Sequence, residues 1–112
     1  MTSPATDSPT TIGVLVTHRT REGQRDAVRK IWERHMAPAV AANSGHLSYV
    51  YCFDDDDPNV ISAFQVYRDA RAAEDFRHSA EYEAYETEVT PLLVGVPSVV
   101  RLTPMWTKSD VS

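Results

Sequence analysis

Two histidines and a set of aromatic side chains fall where chemistry could be done. His18 and His35 both lie on inward faces of their elements, and an imidazole with an ordinary pKa near 6.5 is the side chain best suited to take a proton at neutral pH. Trp32, Tyr67, Phe76, Tyr82 and Tyr85 offer flat apolar walls, which would hold an aromatic ring. Gln65 and the tyrosine hydroxyls could donate to an oxyanion developing on such a ring. The pattern suggests a histidine base beside aromatic walls in a small pocket. The same residues also fit an ordinary interior. A lone inward histidine is commonly a hydrogen-bonded core residue, and a Trp or Tyr stripe at helical spacing is commonly plain core.

The elements that must position these residues follow from hydrophobic period. Thr11 to Arg19 alternates as a strand, with Ile12, Val14, Val16 and His18 on one face and Leu15 and Thr17 on the other. From Gln24 to about Ala42 the spacing is helical, and Val28, Ile31, Trp32, His35, Ala39 and Val40 form one stripe. Pro38 should kink that helix or end its regular part, and Gly45 reads as its stop signal. His46 to Phe53 is a second strand with Tyr49, Tyr51 and Phe53 on one side. The polar run Asp54 to Asn59 turns it into a third strand from Val60, which carries Gln65 and Tyr67. Asp69 and Ser79 are placed as helix caps, so the second helical stretch is broken at His78–Ser79. Tyr82, Tyr85, Val89 and Leu92 continue at spacings of three and four, and Pro91 ends the regular helix near Leu92. Ser98 to Trp106 reads as a fourth strand, in which Pro104 marks an edge position or a bulge.

The order β-α-β-β-α-β predicts an α+β, ferredoxin-like fold: a four-stranded antiparallel sheet with its helices on one face. The other face then exposes Leu15 and its neighbours, and a twofold homodimer through the sheets would cover it. One domain is expected, spanning residues 11–106, with a disordered tail over 1–10 and a short C-terminal tail over 107–112.

Composition narrows the partners. A net charge of −5 argues against a nucleic-acid surface. No apolar run reaches the roughly 20 residues that cross a bilayer, so no membrane partner is expected. Cys52 is the single cysteine, which fits a reducing cytoplasm. Asp54–Asp57 lacks the glycine and distal glutamate of a calcium loop and reads as a solvated tip. There is no paired Cys/His metal motif, phosphate loop or nucleophile elbow.

The runs THRTREGQ, SGHLSYVYCF and FQVYRDARAAEDFRHSAEYEAY together resemble the antibiotic biosynthesis monooxygenase family, over about Thr11 to Trp106. The resemblance implies a dimeric α/β barrel. It also implies oxidation of a phenolic, quinol or polyketide-type aromatic by molecular oxygen without metal, haem or flavin. Family positions that carry a Glu and a His hold Gln65 and Phe76 here. The ligand set of the haem-degrading relatives corresponds to His18, Phe76 and Glu86, so it is absent. On this reading His35 or His18 is the base, and Trp32, Gln65, Tyr67, Phe76, Tyr82 and Tyr85 bind substrate. The alternative is a non-catalytic ligand binder, or a cyclase-like accessory protein of the same fold.

Overall fold

The computed structural model describes residues 10–108. The expected disordered tail falls almost wholly outside these residues. The chain forms β1 (Ile12–Arg19), α1 (Arg25–Ala42), β2 (His46–Phe53), β3 (Val60–Tyr67), α2 (Ala70–Arg77), α3 (Ala80–Val89), a 3-10 turn (Thr90–Leu92) and β4 (Ser98–Leu102). The four strands make one antiparallel sheet in the order β2-β3-β1-β4. This is the α+β, ferredoxin-like arrangement.

Register explains which face is covered. Val14 pairs with Gln65 and Arg101, and Tyr49 pairs with Gln65, so Ile12, Val14, Val16 and His18 share a face with Ile61, Ala63, Gln65, Tyr67 and the Tyr49–Tyr51–Phe53 row. That face meets the helices. Val28, Ile31 and Met36 from α1, Phe76 from α2, and Tyr85 and Val89 from α3 close the core over Ile61 and Tyr67. On the opposite face Val50, Phe64, Leu15 and Val100 are successive partners, one from each strand. Val50, Phe64, Val100 and Leu102 are all exposed. The apolar second face expected from the alternation is therefore a continuous row across the whole sheet.

Local chemistry sets the helix ends. Asp69 accepts a hydrogen bond from the Ala72 amide at 2.8 Å and starts α2. Ser79 does two jobs. Its hydroxyl donates to the Phe76 carbonyl at 2.7 Å, and its oxygen accepts from the Tyr82 amide at 3.2 Å. It thereby stops α2 and caps α3, which turns the helix where the sequence breaks. Pro38 sits inside α1, and the helix runs past it to Ala42. The Arg34 carbonyl one turn earlier loses its helical partner.

Two boundaries differ from the sequence reading. Asn43, not Gly45, closes α1: its amide bonds Val40 at 3.1 Å and its side chain accepts from the Gly45 amide at 3.2 Å. Gly45 serves a close approach instead, since a Cβ there would lie 2.8 Å from the Ala72 Cβ. The fourth strand ends at Leu102 rather than Trp106. Its pairing stops at Gly13↔Leu102, near where β1 begins, and Pro104 has no amide to continue the ladder.

The acidic run is a structured turn. Asp54 Oδ1 accepts from the amides of Asp56 and Asp57 at 2.8 and 2.9 Å. Arg25 donates to the carbonyls of Asp54, Asp57 and Val60 while its guanidinium lies 4.0 Å above the Phe53 ring. Those contacts tie the hairpin tip to the start of α1. Among the described residues no helix is long and apolar enough to cross a membrane, and no cluster of three or more His, Cys, Asp or Glu is placed to hold a metal.

Candidate active site

A cavity of about 530 Å³ opens between α3, the end of β1 and the segment before β4. His18, Tyr82, Tyr85 and Val89 form its inner wall, and Leu93, Gly95, Val96 and Pro97 form the outer one. Glu86, Thr87 and Thr90 stand along its exposed α3 side. The backbone holds this shape. The Val94 amide donates to the Arg19 carbonyl at 2.7 Å and the Arg21 amide to the Leu92 carbonyl at 2.8 Å, which pins the outer wall to the end of β1. Gly95, with φ of 72°, takes a left-handed turn there that few other residues adopt.

Two polar atoms on the cavity-lining residues stand out. The His18 Nδ1 and the Tyr85 hydroxyl are buried without a hydrogen-bond partner among the described residues. Such groups are uncommon in folded proteins, because a buried unpaired donor or acceptor costs free energy. Burial pushes the His18 pKa below its ordinary value, so the ring is neutral at neutral pH. Burial also raises the Tyr85 pKa strongly, reinforced by the neighbouring Tyr51, Tyr49 and Tyr82, which keeps the phenol protonated. A neutral imidazole and a protonated phenol on one cavity are a proton acceptor and a proton donor.

A second cluster lies beside the cavity and is already filled. His46, at the start of β2, packs against Tyr67 with ring centroids 4.3 Å apart and against Phe76 edge-on at 4.6 Å. Its Nδ1 faces the Asn43 amide nitrogen at 2.9 Å and its Nε2 faces the Gln65 carbonyl oxygen at 3.0 Å. Asn43 can only donate through that nitrogen, so His46 carries its proton on Nε2. The Gln65 oxygen also accepts from the Tyr67 hydroxyl at 2.6 Å. Burial lowers the His46 pKa, and the bond to Gln65 partly offsets it.

The residues singled out from sequence thus separate into groups. His18, Tyr82 and Tyr85 share the cavity. Gln65, Tyr67 and Phe76 gather around His46, which the sequence reading passed over as the first residue of a strand. Trp32 stacks on Tyr51 at 4.3 Å and donates its indole N–H to the Tyr49 hydroxyl at 3.1 Å. This bond competes with burial, which pushes the Tyr49 pKa up to about 12. His35 goes elsewhere. The sequence reading set it on the inward stripe beside Trp32. In the structure its Nε2 bonds Glu88 on α3, whose carboxylate also takes Arg34 at 2.9 and 3.0 Å. This partly exposed pair stabilises the contact between the two helices and does not line the cavity.

Comparison with known proteins gives a family and a fold. A sequence model of the family described as antibiotic biosynthesis monooxygenase matches residues 11–88. No curated protein sequence matches the chain significantly. Among solved structures, the protein Rv0793 from Mycobacterium tuberculosis is 26% identical, covers 88% of this chain and 98% of its own, and superposes with a TM-score of 0.76. A candidate antibiotic biosynthesis monooxygenase from Chloroflexus aurantiacus is 22% identical over 87% of this chain and 95% of its own, with a TM-score of 0.75. One from Caulobacter crescentus reaches a TM-score of 0.81 at 18% identity, over 87% and 92% of the two chains. The last two likenesses are likenesses of fold.

Proposed function

This chain belongs to the antibiotic biosynthesis monooxygenase family, and from that membership we propose that it oxidises a small phenolic, quinol or polyketide-type aromatic with molecular oxygen, the electrons coming from the substrate. The observation that carries the reading is the aromatic-walled cavity lined by His18 and Tyr85, whose buried Nδ1 and hydroxyl have no hydrogen-bond partner among the described residues.

Triplet oxygen reacts slowly with closed-shell organic molecules, and a phenolate is electron-rich enough to reduce it by one electron. The protein's part is therefore to make the anion and keep it dry. The His18 imidazole takes the phenolic proton, and the Tyr85 O–H donates to the oxygen that becomes negative. One electron passes from the phenolate to oxygen, and the two radicals combine at a ring carbon bearing hydrogen. The His18 imidazolium protonates the new peroxide. Loss of that ring hydrogen to His18 then expels hydroxide, which leaves as water with the returned proton. The C–H carbon becomes a carbonyl: the substrate loses four electrons, gains one oxygen atom, and the other atom departs as water.

The reading includes a homodimer. The row Val50, Phe64, Leu15 and Val100 crosses the whole uncovered face, and a twofold partner presenting the same row would bury both.

Oxygen uptake with a panel of anthrones, naphthols and quinols, followed by labelled-oxygen incorporation into product, tests the proposal. One labelled atom per product, and activity that survives chelator, is the expected result. Tight ring binding with no oxygen consumed would assign the protein to a ligand-binding or cyclase-like accessory role instead.

A further inference from the structure

We infer that the cavity selects an electrically neutral aromatic and rejects rings bearing a carboxylate or phosphate; this deepens the proposal above and rests on the same cavity. The residues around it are His18, the two tyrosines, apolar and threonine side chains, and one formal charge, Glu86. Among the described residues neither Lys nor Arg lines it. Arg21, on the side of residues 90–93, lies outside the lining and donates its Nε–H to the Pro91 carbonyl at 2.9 Å. Arg77, whose charge acts on the Tyr82 phenol, also lies outside it. The Arg77 guanidinium is already held by both oxygens of Glu74 at 3.2 Å.

An anionic ligand would exchange water for apolar walls with no counter-charge, which is costly. It would also meet Glu86 at the rim, in a protein of net charge −5. A neutral phenol avoids both costs. It enters uncharged and hands its proton to His18, so the charges that appear are a matched pair within the cavity. His18 starts neutral, so a ligand that arrived ionised would find no cation to meet it. Glu86 is thus a specificity residue: it acts on the charge of the ligand and has no part in moving the proton.

The test is equilibrium binding of a naphthol and of the same naphthol carrying a carboxylate, at low salt and neutral pH. Amide shifts of Val89 and Leu93 locate the ligand. The neutral ring should bind at least about 10-fold more tightly, the scale of one unfavourable charge contact near a protein surface. Glu86→Gln should narrow the ratio by about 3-fold, and Glu86→Arg should bring the carboxylate level with or above its neutral twin. Added salt should shrink the Glu86 effect. Equal binding of the two rings to the unsubstituted protein, with shifts at Val89 and Leu93, would overturn the inference while leaving the cavity reading in place. Binding of neither ring would overturn both.

Discussion

The side-chain oxygen of Gln65 sits between two donors, 3.0 Å from His46 Nε2 and 2.6 Å from the Tyr67 hydroxyl. Gln65 and Tyr67 are only 6% and 5% exposed, so the Tyr67 bond is made away from water, while the His46 bond is part-buried. Gln65→Leu keeps the volume and removes the acceptor, leaving two donors unpaired. A loss of about 2–3 kcal/mol is expected, the usual penalty for stranding buried polar groups. Urea denaturation that showed a loss near zero would mean that the bonds contribute nothing net.

The two inward histidines should make stability depend on acid. Burial lowers the folded-state pKa of both His18 and His46, so the unfolded chain binds protons first as pH falls. Stability contributed by the neutral rings is complete above the unfolded value near 6.5. It is lost as pH drops from there through the depressed folded values. Melting temperature should fall between pH 7 and pH 5, and the paired substitution His18→Gln with His46→Gln should flatten that slope. An unchanged slope in the paired variant would point to other groups.

Catalysis should follow His18 and ignore His35. His18→Ala is expected to lower the oxidation rate by roughly 10²-fold or more, the scale of losing a general base. His35→Ala should keep the rate and cost at most about 1 kcal/mol of stability, as for other partly exposed ion pairs. The ascending limb of the unsubstituted enzyme's pH profile should lie below the ordinary histidine range, because the His18 pKa is depressed. The reverse ranking of the two variants would move the base to the α1–α3 contact.

Gly45→Ala tests the close approach of the α1–β2 turn to α2. The added methyl would lie 2.8 Å from the Ala72 Cβ, an atom with no rotamer to escape into. A cost of about 1–3 kcal/mol is expected from overpacking. A crystal structure or thermal melt indistinguishable from that of the unsubstituted protein would show that the turn has room to yield.

The association state depends on the row across the open face. Phe64 is 36% exposed at the centre of that row, beside Leu15 and Val50. Phe64→Asp would place a charge in the middle of the proposed twofold contact. Sedimentation should show a dimer for the unsubstituted chain and a 12.5 kDa monomer for the variant. A monomer in both would remove the dimer from the account.

Much of the scaffold was legible in the sequence because it is local. Alternation placed Tyr49, Tyr51 and Phe53 on one face of β2, and the caps Asp69 and Ser79 marked where the second helical stretch starts and breaks. The site was harder to read. His35 follows the stripe that carries Ile31 and Trp32, but α1 is packed against both the sheet and α3, and periodicity does not say which neighbour a given turn meets. His46 stands at the edge of a strand with no neighbour of its own kind. Its partners Asn43, Gln65, Tyr67 and Phe76 come from three different segments, and only the fold brings them together. The tight turn after α1 was the nearest signal, since it sends the chain straight from Asn43 back to His46.

The placement of β1 in the sheet also governs when the protein can become a protein. Its partners are β3 on one side and β4 on the other, and Gly13 pairs with Leu102, nearly the whole chain away. The β2–β3 hairpin can assemble from neighbouring segments, whereas β1 must wait unpaired on one edge until the last strand is made. During synthesis the segment Ile12–Arg19 therefore leaves the ribosome long before its second partner exists. A newly made chain should stay open to proteases and to holding chaperones until Leu102 has emerged, and then close in a single step.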